Sequence, residues 1–444
     1  MAATRPAVVL LAVILSASPA AAEGDDDEPG AADAGAGDVH ANPGKPIERG
    51  AVRPFAPVRA CSLTLPLCVR TTLEHAGPAA LGALASAERA HRALRGGLRL
   101  KGPEPSLDTG AFDLYLVPAE TPSVTHIEER DPTAAFDRAR GFSVVDAQIP
   151  PGCGRDLAIA RAIAGGALLG VAPATDPTTM LAQIEHIARL GVPCAAVTGD
   201  AAATFQAHPS RALSDAWVGL DPSVGRLNGR GAWIFWEWLD RAHGIAPGAI
   251  VRALWALSPT TTPPGAPRWF NRPDTFDVLR ASFAGFLPGA HTTVDDLYLD
   301  FAVARTFTDA EGGAAAPDWD VPWPTRPVAL APREPLRPTG SMHVVVRTKD
   351  APPGARLRVA LMWEEHAKMR ASLVRVDEHG KEIGRLQIAV AHRKVTDAAT
   401  TLVDLAGARE VRVVVVNAGD PVFGFDPDDD VHEPHGLVVH LSTE

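Results

Sequence analysis

Gly231-Ala-Trp-Ile-Phe-Trp-Glu-Trp-Leu239 is the stretch on which the fold turns. It places Trp233, Phe235, Trp236 and Trp238 close together in a 444-residue chain that is only 6% aromatic. At helical pitch Trp233 and Trp236 share a face at i and i+3, and Trp238 lies across from them. Such a run is either an aromatic ligand stripe or a helix buried on more than one side. The packed helix is the simpler account and predicts a core helix over Gly231–His243.

Working outward, helical signals surround this stretch. Pro78–Arg95 has proline in its first turn, an Ala/Leu-rich body and Gly96-Gly97 as a stop. Residues 155–170 are helical by composition. Asp176 caps a helix with Pro177 in its first turn, an apolar stripe from Met180 to Leu190 and Gly191 as its end. Further helices are expected over 247–257, 274–286 and 294–307, with a weak one over 214–220. Phe112–Val117 and Phe142–Asp146 alternate like short strands. Residues 309–338 are rich in proline and nearly aperiodic, which predicts a linker. From Met342 the period becomes two, with strands expected around 344–347, 357–362, 372–376, 386–390, 401–405, 411–416 and 437–441 and a hairpin turn at Asp377–Lys381. The expected fold class is α+β: a mainly helical domain over 53–308, then an antiparallel β-sandwich over 339–444.

Export is predicted by the N-terminus. Arg5 precedes an apolar run from Val8 to Leu15, too short to span a bilayer, and Ala20-Ala21-Ala22 offers a small-residue cleavage site. Residues 1–22 are thus read as a signal peptide, with an uncut membrane anchor as the rival. Residues 23–52 follow as an acidic, disordered linker. Exported chains favour disulfides, and the four cysteines, Cys61, Cys68, Cys153 and Cys194, allow three connectivities. Proximity favours Cys61–Cys68 and Cys153–Cys194. The net charge of −11 argues against a nucleic-acid partner.

No HExxH, HxxEH, GxSxG, Walker A or GxGxxG motif is present. The segment Arg226–Gly244, with Ile250–Trp255, Asp108–Val117 and Gly141–Asp146, is similar to a family of gluzincin-like secreted proteins, assigned as zinc metalloproteases and known best from myxobacteria. The resemblance runs in order over most of 65–444 and implies a metalloprotease-like fold followed by a β-domain. It also implies a zinc helix over Ala160–Gly170, whose two histidines and glutamate would fall near Arg161, Gly165 and Ala162. Arginine is a permanent cation, and glycine and alanine carry no side-chain donor. Asp200, in Asp200-Ala-Ala-Ala-Thr-Phe205, matches the third ligand but cannot hold zinc alone.

Two other constellations need weighing. His186, His208 and Asp200 could form a relocated metal site, although Glu185 and His186 fit a solvated helix face better. Asp426, Asp428, Asp429 and Asp430 crowd carboxylates on one loop, which suits calcium or simply an exposed acidic loop. The expectation is an exported, non-catalytic binding protein for a peptide or glycan, without a resident cofactor. The alternative is an active hydrolase or peptidase with a non-standard site, using zinc or a dispersed Ser/His/Asp arrangement.

Overall fold

The computed structural model describes residues 51–131, 134–192, 194, 199–214, 221–263, 265–285, 293–307, 313–364, 367–388, 398–419 and 433–444. Residues 1–22, expected as a signal peptide, residues 23–50 of the expected linker, residues 215–220 of the expected weak helix and the loop of Asp426, Asp428, Asp429 and Asp430 lie outside them.

The fold is α+β, and it begins with a sheet larger than the two expected strands. β1 (Val58–Cys61) and β2 (Leu67–Thr71) form a hairpin stapled by a Cys61–Cys68 disulfide between directly paired positions, 4.1 Å apart at Cα. After α1 (Pro78–Arg92) come β3 (Phe112–Val117), β4 (Ser123–Arg130) and β5 (Ala139–Asp146). The sheet order is β1-β2-β3-β5-β4, with β2, β3 and β5 parallel and β1 and β4 antiparallel at the two edges. β3 is buried along its whole length, as a central strand covered on both faces must be. Phe112, Leu114 and Leu116 face the helices; Tyr115, Val117 and Phe142 face the other way. There Arg53 anchors the N-terminal segment by donating to Glu128, Asp113 and Ser106 at 2.5–2.9 Å.

The helices follow: α2 (Cys153–Leu169), α3 (Pro177–Gly191), α4 (Gly199–Ala207), α5 (Pro222–Gly231), α6 (Trp233–His243), α7 (Ala249–Leu257), α8 (Thr275–Gly285) and α9 (Val294–Ala304). α2 lies on the sheet so closely that a Cβ at Gly166 would sit 2.6 Å from the Phe112 ring. Asp176 caps α3 by accepting from the Thr179 amide at 2.7 Å, as its position predicts. A second disulfide, Cys153–Cys194, ties the start of α2 to the chain beyond α3. Of the quoted stretch, Trp233–Leu239 lie in α6, while Gly231 ends α5 and Ala232 joins the two, so the helix expected from Gly231 starts two residues later. Its Trp233 is fully buried under the Arg189 guanidinium at 3.7 Å, and Phe235 meets Phe301 of α9 edge-on at 5.1 Å. Trp236 packs on Phe276 of α8.

The C-terminal part holds β6 (Trp319–Val321), β7 (Val328–Leu330), β8 (Ser341–Arg347), β9 (Arg356–Trp363), β10 (Met369–Val376), β11 (Glu382–Ile388), β12 (Ala398–Asp404), β13 (Glu410–Asn417) and β14 (Leu437–Thr443). They form two sheets, β11-β10-β13-β8-β6 and β12-β9-β14-β7, whose inward side chains share one core. The Pro-rich segment read as a linker supplies β6 and β7, an edge strand for each sheet. That is where proline-flanked strands are tolerated. β6 runs parallel to β8, so the first sheet is mixed rather than purely antiparallel.

The helical and β segments, read as separate domains, pack through a shared core. Along β10 and β13 the pleat sends Leu373, Val413 and Val415 into the two-sheet core and Val374, Val376, Val414 and Val416 into the helical one. α9 covers that outer face. Its Asp295 pairs with Lys368 at 2.5 Å, and its Asp300 with Arg385 at 2.6 Å. No helix among the described residues is long and apolar enough to cross a membrane.

Candidate functional site

The expected zinc positions lie in the middle of α2, which is buried on almost all sides. Arg161 points toward α3 and grips Glu185 with two parallel bonds, Nε–Oε2 at 2.5 Å and Nη2–Oε1 at 2.8 Å, with side chains 9% and 1% exposed. A bidentate, desolvated pair of this kind commits both groups to each other. Ala162 is buried, and its carbonyl accepts from Ser143 Oγ at 3.2 Å. Gly165 abuts Thr125 of β4 so tightly that even a methyl group would collide with that hydroxyl. Asp200 is exposed at the start of α4. These residues do not fit zinc. Among the described residues no three of His, Cys, Asp and Glu gather as metal ligands.

Glu185 and His186, expected on a solvated face, are buried. His186 Nε2 lies 2.6 Å from Asp240 Oδ2 of α6. Asp240 also accepts from the Gly248 amide at 2.7 Å and the Ile250 amide at 2.9 Å, so one carboxylate caps α7 and holds α3. The proposed grouping of His186 with His208 and Asp200 is therefore replaced by a helix-crossing latch. His208 follows the end of α4, as expected. A Ser–His contact exists between Ser341 Oγ and His343 Nε2 at 3.0 Å, but both side chains are buried in β8. Burial, then the nearby Arg305 and Arg412 charges, push the His343 pKa down to about 3, which makes it a poor base near neutrality.

Two of the clefts formed by the described residues combine an apolar wall with several cations. The larger, about 540 Å³, lies between α6, α9 and the β10–β11 hairpin. Trp238, Phe301 and Phe307 form its apolar wall, and Arg241, Lys381 and Arg385 stand on its rim. Trp238 is the tryptophan expected across from the buried pair, and it is half-buried where they are fully covered. At its base Arg305 is buried, donating to Gln206 at 2.9 Å and the Phe205 carbonyl at 2.7 Å, and burial lowers its pKa to about 9.

The second cleft, about 240 Å³, opens beside the Arg161–Glu185 pair. Val124 of edge strand β4 and Met180, Leu181 and Ile184 of α3 form its apolar side. Arg226 and Arg230, one turn apart on α5, face it from the other. Gly229 brings α5 close to α3, since a Cβ there would lie 3.3 Å from Thr178 Cγ2. Nothing in the sequence marks these arginines: they sit in a glycine-rich run, and their common ground with Arg161 exists only after folding.

No protein-family model matches the chain, and no curated protein matches it. Among solved structures, 28% of the chain is similar to the enzymatically active domain of bacteriophage CBA120 tailspike protein 4, at 11% identity, 18% of that chain and a TM-score of 0.18. SPBc2 prophage-derived protein YomS matches 27% of the chain at 13% identity, 97% of its own length and a TM-score of 0.15. The infectious bursal disease virus VP2 subviral particle matches 27% at 8% identity, 40% of its own length and a TM-score of 0.15. Likenesses this slight carry no functional argument.

Proposed function

We propose that this is an exported, non-catalytic binding protein with a metalloprotease-like core and a β-sandwich. In this account the zinc helix has become a structural helix. The observation that carries it is the buried Arg161–Glu185 pair, which puts a permanent cation where a ligand would be needed. The two disulfides suit an oxidising compartment, periplasmic or extracellular. Binding is assigned to the Trp238 cleft. An indole wall with cationic and carboxylate groups at its rim suits a glycan or an extended peptide, because aromatic faces supply area and the rim supplies hydrogen bonds.

The test has two arms. The purified chain is passed through gel filtration and its zinc measured by elemental analysis, with an expected content well below one per chain. Stoichiometric zinc would overturn the non-catalytic account. In parallel, glycan and peptide arrays are probed with the native chain and with Trp238→Ala. Loss of the captured class in the variant is expected; unchanged capture removes the cleft from consideration.

A further inference from the structure

The smaller cleft carries a charge imbalance that its structural role does not explain. Arg161, Arg226 and Arg230 converge on it, and Glu185 is the one carboxylate in its described wall. Glu185 already spends both oxygens on Arg161. Among the described residues no hydrogen bond or ion pair engages the side chain of Arg226 or Arg230. Their placement at i and i+4 of one helix is itself repulsive. Burial, then the Arg161 charge, holds the Arg230 pKa down to about 10, so this guanidinium is charged at neutral pH in surroundings that disfavour it. This local excess of positive charge sits in a chain whose net charge is −11. Opposite the cations, Val124, Met180, Leu181 and Ile184 offer an apolar wall.

We propose that this cleft binds an apolar carboxylate, held by the Arg226 and Arg230 guanidiniums, with its hydrocarbon group against Val124, Met180, Leu181 and Ile184. Arginine forks match a carboxylate in two parallel bonds, and the cleft volume admits a group about the size of one acylated apolar amino acid. Arg161 does not bind directly; locked to Glu185, it adds fixed positive potential behind the site. The site is separate from the Trp238 cleft and stands or falls without it.

The experiment titrates the full-length, disulfide-bonded chain with N-acetyl-L-leucine, N-acetyl-L-leucinamide and inorganic phosphate, by calorimetry and thermal shift. The carboxylate is expected to bind one per chain and raise Tm, more weakly at high salt, while the amide does neither. Arg230→Met is expected to raise the Tm of the ligand-free protein, because it removes a half-buried, repelled cation, and to weaken carboxylate binding at least tenfold. Arg226→Gln, at an exposed position that folding tolerates, should weaken it several-fold and keeps the test alive if Arg230→Met does not fold. Equal binding of the amide, binding of phosphate alone, no binding of any probe, or carboxylate binding unchanged in both variants each overturns the proposal.

Discussion

Removing the charge of Glu185 should destabilise the protein more than removing its partner. Glu185→Gln keeps the shape but leaves Arg161 buried without a counter-charge beside Arg226 and Arg230. Breaking a buried pair in this way costs about 3–5 kcal/mol. Arg161→Met leaves Glu185 next to Arg230, whose cation already interacts with it and can take over. That variant should lose at least ~1 kcal/mol less than the first, because the charge it strands has an opposite charge at hand, whereas Arg161 without Glu185 has only like charges beside it. The double variant Arg161→Met/Glu185→Met replaces the pair with apolar bulk and should be more stable than Glu185→Gln. Urea unfolding followed by tryptophan fluorescence reads all four proteins, with nine tryptophans as reporters. The midpoint shift multiplied by a common m-value gives each difference. A cost for Arg161→Met equal to or above that of Glu185→Gln would refute the charge accounting.

Other consequences can be measured separately. His343 is held neutral by burial, so its folded pKa lies below its unfolded value. Its contribution to stability is complete above pH ~6.5 and is lost as pH falls toward 3. His343→Gln should flatten the stability profile between those limits, and an unchanged slope would count against it. Asp240→Ala removes one acceptor from His186 and two backbone amides, and should cost about 2–4 kcal/mol in chemical denaturation. Replacing both cysteines of the Cys153–Cys194 bridge should cost about 4 kcal/mol. The Cys61–Cys68 bridge should cost about 2.5, because their sequence separations of 41 and 7 set the loop entropy. Trp236→Ala should lose about 3–5 kcal/mol and Trp238→Ala clearly less, as one is buried among aromatics and the other faces the cleft.

Local chemistry made part of this fold legible in advance. Asp176-Pro177 starts α3, and the aromatic run forms α6, because caps and periodicity act within a few residues. The alternating apolar pattern after Met342 likewise yields β8, β9, β10, β13 and β14. α5 is not legible in the sequence because Gly225, Gly229 and Gly231 argue for a loop, and close packing on α3 outweighs their low helix propensity. β6 and β7 are three residues each and flanked by proline, so they exist only because a sheet is there to receive them. Glu185 and His186 read as solvated because their partners lie 24 and 54 positions away, beyond any periodic window. The charged cleft is hidden for the same kind of reason, because it joins residues of β4, α2, α3 and α5.

The outer face of β10 and β13 has a further consequence for how this chain can change over time. Val374, Val376, Val414 and Val416 belong to the core built by α9 and its neighbours. The C-terminal sheets therefore cannot be cut away, duplicated or exchanged for a foreign module without baring a valine strip that would invite self-association. Substitutions on the α9 face and on that strip must instead drift in concert. Any lineage carrying this protein inherits its two halves as a single heritable block.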